Sequence, residues 1–281
     1  GVSAGSYTLS SLTVNAQGLV TSATSGTPSS GTAMANILYV DANGNDTTAV
    51  KGDIAKPFET YASAKAGASS GDVIVLMPGS YNANDILKDG VEIYFMPGAS
   101  INYIGGGDPI MKDDAALAFN CTISGYPSFY YNGTGTYRQS LYLTGTGVVN
   151  LNFKNAYFNG THQKSILINN ANATVSFKNC IFEQSVVDAM VIDIDAKSSV
   201  HFDDCQIINR MDGTSAHGLS IDVDDVIIDK GRIYIENATA DCINATSAID
   251  MLLYSDTLTN KAAGGSAITQ LIAYSIVVDT E

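Results

Sequence analysis

The sequence has few cationic residues and no cluster of them. Its 281 residues include 14 Lys and Arg against 28 Asp and Glu, which gives a formal net charge of −14. A protein that wraps nucleic acid needs grouped Lys and Arg to displace counterions, so we expect no nucleic-acid partner. The same charge disfavours binding to an anionic lipid surface. No apolar run reaches the roughly 18 residues of a membrane span, so we also expect no membrane insertion.

Several chemical signatures are missing as well. The four cysteines, Cys121, Cys180, Cys205 and Cys242, form no C-x-x-C pair, so zinc is not expected. No Gly-rich phosphate loop, G-x-S-x-G elbow or H-E-x-x-H motif occurs. Proline is scarce at 6 residues, whereas 45% of the chain is hydrophobic. Together with frequent Gly, Asn, Thr and Asp, this composition favours many short strands joined by tight turns around a sizeable core.

A repeat of about 25 residues organises the second half of the chain. Its clearest copies read "NFKNAYF", "SFKNCIF" and "HFDDCQI", with Phe153, Phe177 and Phe202 at successive intervals of 24 and 25 residues. A second strand recurs within each copy as "SILINNA", "AMVIDID" and "GLSIDVD". Both alternate apolar with polar residues, as strands with one buried face do. The repeat predicts an all-β chain folded as a parallel β-solenoid, with about eight coils over residues 73–281.

The cysteines have a predicted place in this repeat. Aligning the coils puts Cys121, Ala156, Cys180, Cys205 and Gly231 in one column of small, inward-facing residues. Neighbouring coils would bring Cys180 and Cys205 within disulfide range. We favour buried free thiols that pack as small hydrophobes, which fits synthesis in a reducing cytoplasm.

The segment before the solenoid has a recognisable sequence pattern. Residues 37–82 contain "YVDANGND", "KPFETYASAKAGA" and "GDVIVLMPGSY". This pattern resembles the opening of right-handed, single-stranded parallel β-helix proteins of the pectate-lyase-like superfamily, and the resemblance implies that fold. Ala and Lys between Tyr61 and Ala68 favour a short helix, which would cap the open end of the stack.

The first residues form a separate module. "YTLSSLTVNAQGLVTSATSGT" resembles a β-hairpin module of bacteriophage tail fibres, and the resemblance implies a trimeric fibre component. An isolated hairpin is marginal in water, so its apolar residues, such as Leu19 and Val20, need partners. We divide the chain into an attachment module and linker at residues 1–36 and a β-helix domain at 37–281, whose cap is 37–72 and whose coils are 73–281.

An acidic ladder is one place where chemistry could occur. Aligning "VIDIDA" with "SIDVDD" pairs Asp193 with Asp222 and Asp195 with Asp224, with Asp225 beside them, all on the outer face. Three interpretations stay open. The ladder could be a solvated acidic face, a Ca²⁺ site formed by Asp195, Asp224 and Asp225, or a catalytic group that includes Asp193, Asp222 and Asp224.

The loop "INRMDGTSAHG" lengthens the coil next to this ladder. It places Arg210, Asp212 and His217 within eight residues. An enzyme would use such a set as charge stabiliser, acid and base, so His217 and Arg210 join the catalytic candidates. A loop without a ligand is the simpler interpretation.

An insertion, "GYPSFYYNGTGTYRQS" at residues 125–140, is unusually aromatic. It predicts a protrusion that contacts either a glycan or a neighbouring subunit. The absence of Trp from the chain slightly weakens the glycan case. Its candidate binding residues are Tyr126, Phe129, Tyr130, Tyr131, Tyr137 and Arg138.

These features and resemblances give one expected function and two alternatives. The expected function is attachment of a phage virion to its host through a tail fibre or tailspike that binds a surface glycan or receptor. One alternative is a tailspike depolymerase, a glycoside hydrolase or lyase, and the other is a purely structural virion component. We expect a homotrimer in the virion tail, assembled in the host cytoplasm and joined to other tail proteins through residues 1–36. No cofactor is expected apart from Ca²⁺ at the acidic ladder.

Overall fold

The chain forms two compact units, Gly1–Ala35 and Asn36–Glu281, in the computed structural model. Each unit is described by itself. The structure describes residues 10–25, 34–106, 108–113, 118–132, 139–160, 164–184, 190–195, 198–209, 218–221, 226–229, 232–235, 243–245, 249–254, 257–260, 268–270 and 273–279.

The first unit contains the expected hairpin. Strand β1 (Ser10–Val14) pairs antiparallel with β2 (Val20–Ser25). Asn15 closes the turn, because its side-chain oxygen accepts the backbone N–H of Leu19 at 2.9 Å. The side chains of Leu19 and Val20 are 65% and 42% exposed. The hairpin therefore leaves apolar surface in water, as its sequence predicts.

The second unit consists of short strands and one helix among the described residues. In chain order these are β3 (Ile37–Val40), α1 (Tyr61–Gly67), β4 (Val73–Leu76), β5 (Gly79–Tyr81), β6 (Val91–Phe95), β7 (Ala99–Tyr103), β8 (Met111–Lys112), β9 (Phe119–Gly125), β10 (Ser128–Tyr131), β11 (Leu141–Leu143), β12 (Val149–Lys154), β13 (Tyr157–Gly160), β14 (Lys164–Ile168), β15 (Ala173–Lys178), β16 (Ile181–Gln184), β17 (Met190–Ile194), β18 (Ser199–Asp203), β19 (Gln206–Asn209), β20 (Leu219–Ile221), β21 (Val226–Asp229), β22 (Arg232–Ile235), β23 (Ile243–Ala245), β24 (Ile249–Tyr254), β25 (Thr257–Asn260), β26 (Ile268–Gln270) and β27 (Ala273–Asp279).

These strands stack into three parallel sheets, so the predicted parallel β-helix is confirmed. Sheet 1 has ten strands, from β3 through β4, β6 and every third strand thereafter to β27. Sheet 2 has eight strands, from β5 to β25, and sheet 3 has seven, from β8 to β26. Nine of the ten strands of sheet 1 follow residue 73, where the repeat predicts about eight coils.

The recurring phenylalanines form the centre of the core. Phe153, Phe177 and Phe202 are in register on neighbouring strands of sheet 1. Phe158 and Phe182 occupy the facing positions of sheet 2. All five are at most 1% exposed. Because Phe recurs at the same depth in these consecutive coils, the rings stack along the axis.

The helix α1 lies at the predicted cap position, and its formation confirms that prediction. Thr60 caps it, since its hydroxyl accepts the backbone N–H of Ser63 at 3.2 Å. Tyr61 is buried and donates to the carbonyl of Ile86 at 2.5 Å, and α1 packs against β3 and β4. No helix among the described residues is long and apolar enough to cross a membrane.

Two residues of the "YVDANGND" motif, Gly44 and Asp46, have clear structural roles. A Cβ on Gly44 would lie 2.6 Å from the carbonyl oxygen of Phe58, so only glycine fits this approach. Asp46 accepts the backbone N–H groups of Glu59 and Thr60 at 2.8 and 3.0 Å. Burial works to raise the pKa of Asp46, but its hydrogen bonds, chiefly from Thr60, hold that pKa below its ordinary value. These residues join the loop after β3 to the start of α1.

The predicted cysteine column needs one correction. Ala156, Cys180 and Cys205 do share a position, because the carbonyl of each accepts the N–H that opens the following strand of sheet 2 in the next coil. Cys121 does not belong with them, since it pairs in register with Leu151 on sheet 1. Gly231 lies outside the described residues.

The expectation of free thiols is confirmed for three cysteines. Cys121, Cys180 and Cys205 are free and buried, whereas Cys242 lies outside the described residues. Burial raises the pKa of Cys121 to about 11. The hydrogen-bonded Cys180 thiol and burial together raise the pKa of Cys205. Protonated, inward thiols of this kind behave as small hydrophobes.

A ladder of asparagines marks the turn between sheet 1 and sheet 2. Asn155 and Asn179 adopt the left-handed conformation, with φ of 55° and 53°, and Asp204 repeats it with φ of 51°. The side-chain amide of Asn179 donates to the side-chain oxygen of Asn155 at 2.8 Å, and that of Asn155 donates to the carbonyl of Gly125 at 3.1 Å. The Asp204 side chain has no amide N–H with which to continue this chain of donors.

The Asp204→Asn substitution is therefore expected to stabilise the protein. An amide at this position would donate to the Asn179 oxygen and would keep a residue type that tolerates positive φ. We expect the free energy of unfolding to rise by about 0.5 to 1 kcal/mol, measured by urea denaturation. The matched control, Asn179→Asp, should lower it by a similar amount. A lower stability for Asp204→Asn would contradict this account of the ladder.

Candidate functional site

Part of the aromatic insertion belongs to a regular strand. Its residues Ser128–Tyr131 form β10, a regular strand of sheet 2. Phe129 and Tyr131 are fully buried in the core, so their prediction as ligand-binding residues is wrong. Tyr126, in the turn before β10, is 58% exposed. Tyr137 and Arg138 lie outside the described residues, and their predicted role stays a prediction.

The outer face of sheet 2 gathers a group of polar and aromatic side chains. Along β7, β10, β13 and β16 one file of outward positions aligns in register. We call this file, with one neighbouring tyrosine, the tyrosine strip. Its residues are Asn102, Tyr130, Tyr157, Asn159 and Glu183.

The strip faces outward because the same strands direct their other side chains inward. Phe129, Phe158 and Phe182 alternate with it and are fully buried, so period-2 alternation puts the strip on the opposite face. Its residues are all half-buried. Neighbouring strands lie about 4.8 Å apart, which is close to the length of one sugar ring.

A hydrogen-bonded network holds the strip together. The rings of Tyr130 and Tyr157 lie 5.9 Å apart, inclined at 59°. The Tyr157 hydroxyl donates to Glu183 Oε2 at 2.8 Å and accepts from Asn159 Nδ2 at 2.9 Å. Burial, followed by the nearby Glu183 carboxylate, raises the pKa of Tyr157 to about 12. The hydroxyl therefore stays protonated and remains a donor to Glu183 throughout the neutral range.

This arrangement provides groups that can recognise a sugar. Aromatic faces contact the apolar face of a pyranose, and amide and carboxylate groups bond its hydroxyls. Glycosidic hydrolysis in its usual form needs two carboxyl groups on either side of the bond. Glu183 is the sole carboxylate in the strip as we define it from the described residues, so the strip provides half of such a pair.

The acidic ladder differs from its predicted alignment. Asp193 pairs in register with Ser220, and Ile194 pairs with Ile221. Asp193 therefore does not lie opposite Asp222, and the predicted pairing is wrong by two residues. Asp193 occupies an outward position of β17 but is only 3% exposed, so it is not part of a solvated face.

Most of the remaining predicted catalytic and calcium-binding residues are outside the described part of the chain. Asp195 is exposed at the end of β17, and Asp222, Asp224, Asp225, Arg210 and His217 are outside the described residues. Within the described part of the chain no three His, Cys, Asp or Glu side chains are grouped so as to hold a metal ion. The catalytic and Ca²⁺ hypotheses therefore stay predictions.

The strip as a unit is not among the features predicted from the sequence. Of its members, only Tyr130 was predicted to bind a ligand, and it was assigned to a protrusion. The available signal was the shared phenylalanine in "SFYY", "YFNG" and "IFEQ". Aligning these three segments on Phe129, Phe158 and Phe182 gives the observed register.

No protein-family model matches the chain, and no curated protein matches its sequence. Two crystal structures of the pectin methylesterase from Aspergillus niger are similar, one fully deglycosylated and one retaining an N-acetylglucosamine stub. They share 16% and 17% sequence identity with the chain, and each comparison covers 91% of this chain and 93% of the other, with a TM-score of 0.43. The description of the fold therefore rests on the sheets and registers of this chain.

Proposed function

We propose that the protein attaches a bacteriophage to its host by binding a surface glycan along the tyrosine strip. The observation that carries the proposal is the strip itself, where Tyr130 and Tyr157 expose aromatic surface beside Asn159 and Glu183 on consecutive coils. Hydrogen bonds fix the side chains of Tyr157, Asn159 and Glu183 before any ligand arrives. Binding then costs less conformational entropy than it would for free surface side chains.

The hairpin unit supports the fibre part of the proposal. Its "TVNAQG" wording resembles a phage fibre module, and Leu19 and Val20 are exposed. Other copies of the chain would bury these residues in a trimer. In this proposal residues 1–36 join the protein to other tail proteins, and the coils carry the glycan site.

Binding measurements with strip variants test the proposal. We expect the protein to bind one or more members of a panel of bacterial surface polysaccharides, and Tyr157→Ala to weaken that binding about tenfold or more, or 1.4 kcal/mol. Tyr157→Phe keeps the ring but loses the bond to Glu183, so its loss should be smaller. Tyr126→Ala removes an exposed aromatic side chain outside the strip, and it should leave affinity unchanged.

Two results would overturn the proposal. One is equal affinity for the parent protein, Tyr157→Ala and Tyr130→Ala, which would place the glycan elsewhere. The other is the absence of binding to any polysaccharide in the panel. The length of each bound polymer should be followed in the same samples, since its shortening would identify a depolymerase instead of an attachment protein.

A further inference from the structure

A cleft beside the cap helix has a chemistry of its own. It measures about 830 Å³ and lies where α1 faces the segment after β5. A second hollow of about 510 Å³ shares four of its lining residues, which are Lys65, Asp85, Lys88 and Lys112. Tyr61 and Tyr81, both buried, form part of the wall of the larger hollow.

The concentration of lysines is unusual for this chain. The whole sequence contains 14 Lys and Arg against 28 Asp and Glu, yet three lysines line both hollows. Two of the three lysines already pair with carboxylates. Lys65 donates to the carbonyl of Asp85 and to its carboxylate, the latter at 3.0 Å, and Lys112 pairs with Asp108 at 3.2 Å.

Lys88 differs from the other two lysines. It is half-buried and forms no ion pair or side-chain hydrogen bond with any other described residue. Asp89 also lines the smaller hollow, where its carboxylate accepts the backbone N–H of Asn120 at 2.9 Å. Glu59 lines only the larger hollow. The ammonium of Lys88, which lines both hollows, can therefore pair with an incoming anion.

We propose that this cleft binds an anionic group of a surface polymer, with Lys88 as its direct ion-pair partner. The group is a carboxylate, phosphate or sulfate, all of which offer oxygen acceptors to an ammonium. Lys65 and Lys112 flank the same space and contribute to its potential, while their own partners hold them in place. The site is separate from the tyrosine strip, so each can fail without the other.

The test measures binding of defined polyanions to the full chain by calorimetry. The probes are hyaluronan oligosaccharides for carboxylate, polyphosphate for phosphate and dextran sulfate for sulfate, with neutral dextran as the blank. We expect at least one polyanion to bind, more weakly as salt increases, and neutral dextran not to bind. Lys88→Ala should reduce the affinity about tenfold, and Lys88→Arg should restore most of it because the charge returns.

Lys154→Ala is the matched control. It removes one exposed lysine from the outer face of sheet 1, and so changes the net charge equally. Thermal unfolding of each variant separates loss of binding from loss of fold. Equal effects of Lys88→Ala and Lys154→Ala would show that the attraction is nonspecific, and would overturn the proposed site. Failure of all three polyanions to bind would also overturn it.

Discussion

Phe177→Ala is expected to lower the free energy of unfolding by about 3 to 5 kcal/mol. The ring is fully buried and contacts four others. It stacks on Phe153 and Phe202, at 5.0 and 5.2 Å between centroids, and meets Phe158 and Phe182 edge-on at 6.1 and 5.1 Å. Truncation removes the transfer free energy of the side chain and leaves a cavity, because coils held by sheets on three sides cannot collapse into it.

The position of Phe177 adds a second consequence. In a solenoid each coil is stabilised chiefly by its neighbours, so weakening a central coil uncouples the coils on either side. Urea denaturation followed by circular dichroism should therefore show a lower midpoint and a broader transition. Phe177→Leu, which keeps most of the volume, should cost about 1.5 kcal/mol or less. Tyr126→Ala, at an exposed position, should stay within about 0.5 kcal/mol. A Phe177→Ala loss as small as that of Tyr126→Ala would contradict the stacked core.

Asp113→Ala is expected to lower the free energy of unfolding by about 2 to 3 kcal/mol. The Asp113 residue is 9% exposed. Its carboxylate accepts the backbone N–H groups of Thr144 and Gly145 at 3.0 and 2.7 Å and the side-chain amide of Asn170 at 2.8 Å. Asn170 is itself fully buried. One carboxylate thus connects three consecutive coils at the end of sheet 3. Its removal leaves the N–H groups of Thr144 and Gly145 without this acceptor, while the Asn170 amide keeps only its bond to the carbonyl of Gly147 at 3.1 Å.

Two further variants define the cause of this loss. Asp113→Asn keeps the shape but directs an amide donor at one of these donors, so it should recover only part of the stability. Asp108→Ala removes an exposed carboxylate whose partner is Lys112, and it should cost about 0.5 kcal/mol or less. Thermal and urea unfolding give both values. A loss for Asp113→Ala no larger than that of Asp108→Ala would show that the three hydrogen bonds contribute little.

The β-helix could be predicted because its signal is local and repeated. Phe153, Phe177 and Phe202 recur at one coil length, and the strands around them alternate strictly. The cap helix was predictable from the continuous sequence pattern of residues 37–82, before the solenoid. In each case the signal is a short motif that can be read within one continuous segment or matched at a fixed interval.

Register between coils was harder to predict because alternation does not determine it. A shift of two residues leaves every inward and outward position unchanged, so pairing Asp193 with Asp222 satisfied the pattern as well as the observed Ser220 does. The predicted column places Cys121 beside Ala156 and Cys180 because each follows an Asn in the sequence, which does not determine the strand to which Cys121 belongs. Its true neighbour is Leu151.

The tyrosine strip was hidden for a related reason. Tyr130, Tyr157 and Glu183 belong to three coils, and only the register of β10, β13 and β16 brings them together. The density of aromatic residues in "GYPSFYYNGTGTYRQS" indicated a surface feature, whereas Phe129 and Tyr131 fill the core. Composition indicated an unusual segment, but only strand pairing separates its inward residues from its outward ones.

A crystal structure with a bound oligosaccharide tests the central claim most directly. The oligosaccharide should come from the polysaccharide that binds most tightly in the panel. We predict that a sugar ring lies against Tyr157 and Tyr130, with its hydroxyls bonded to Asn159 and Glu183, and that the network between these side chains is unchanged on binding. An oligosaccharide bound elsewhere on the protein, with the strip left open to solvent, would contradict the account.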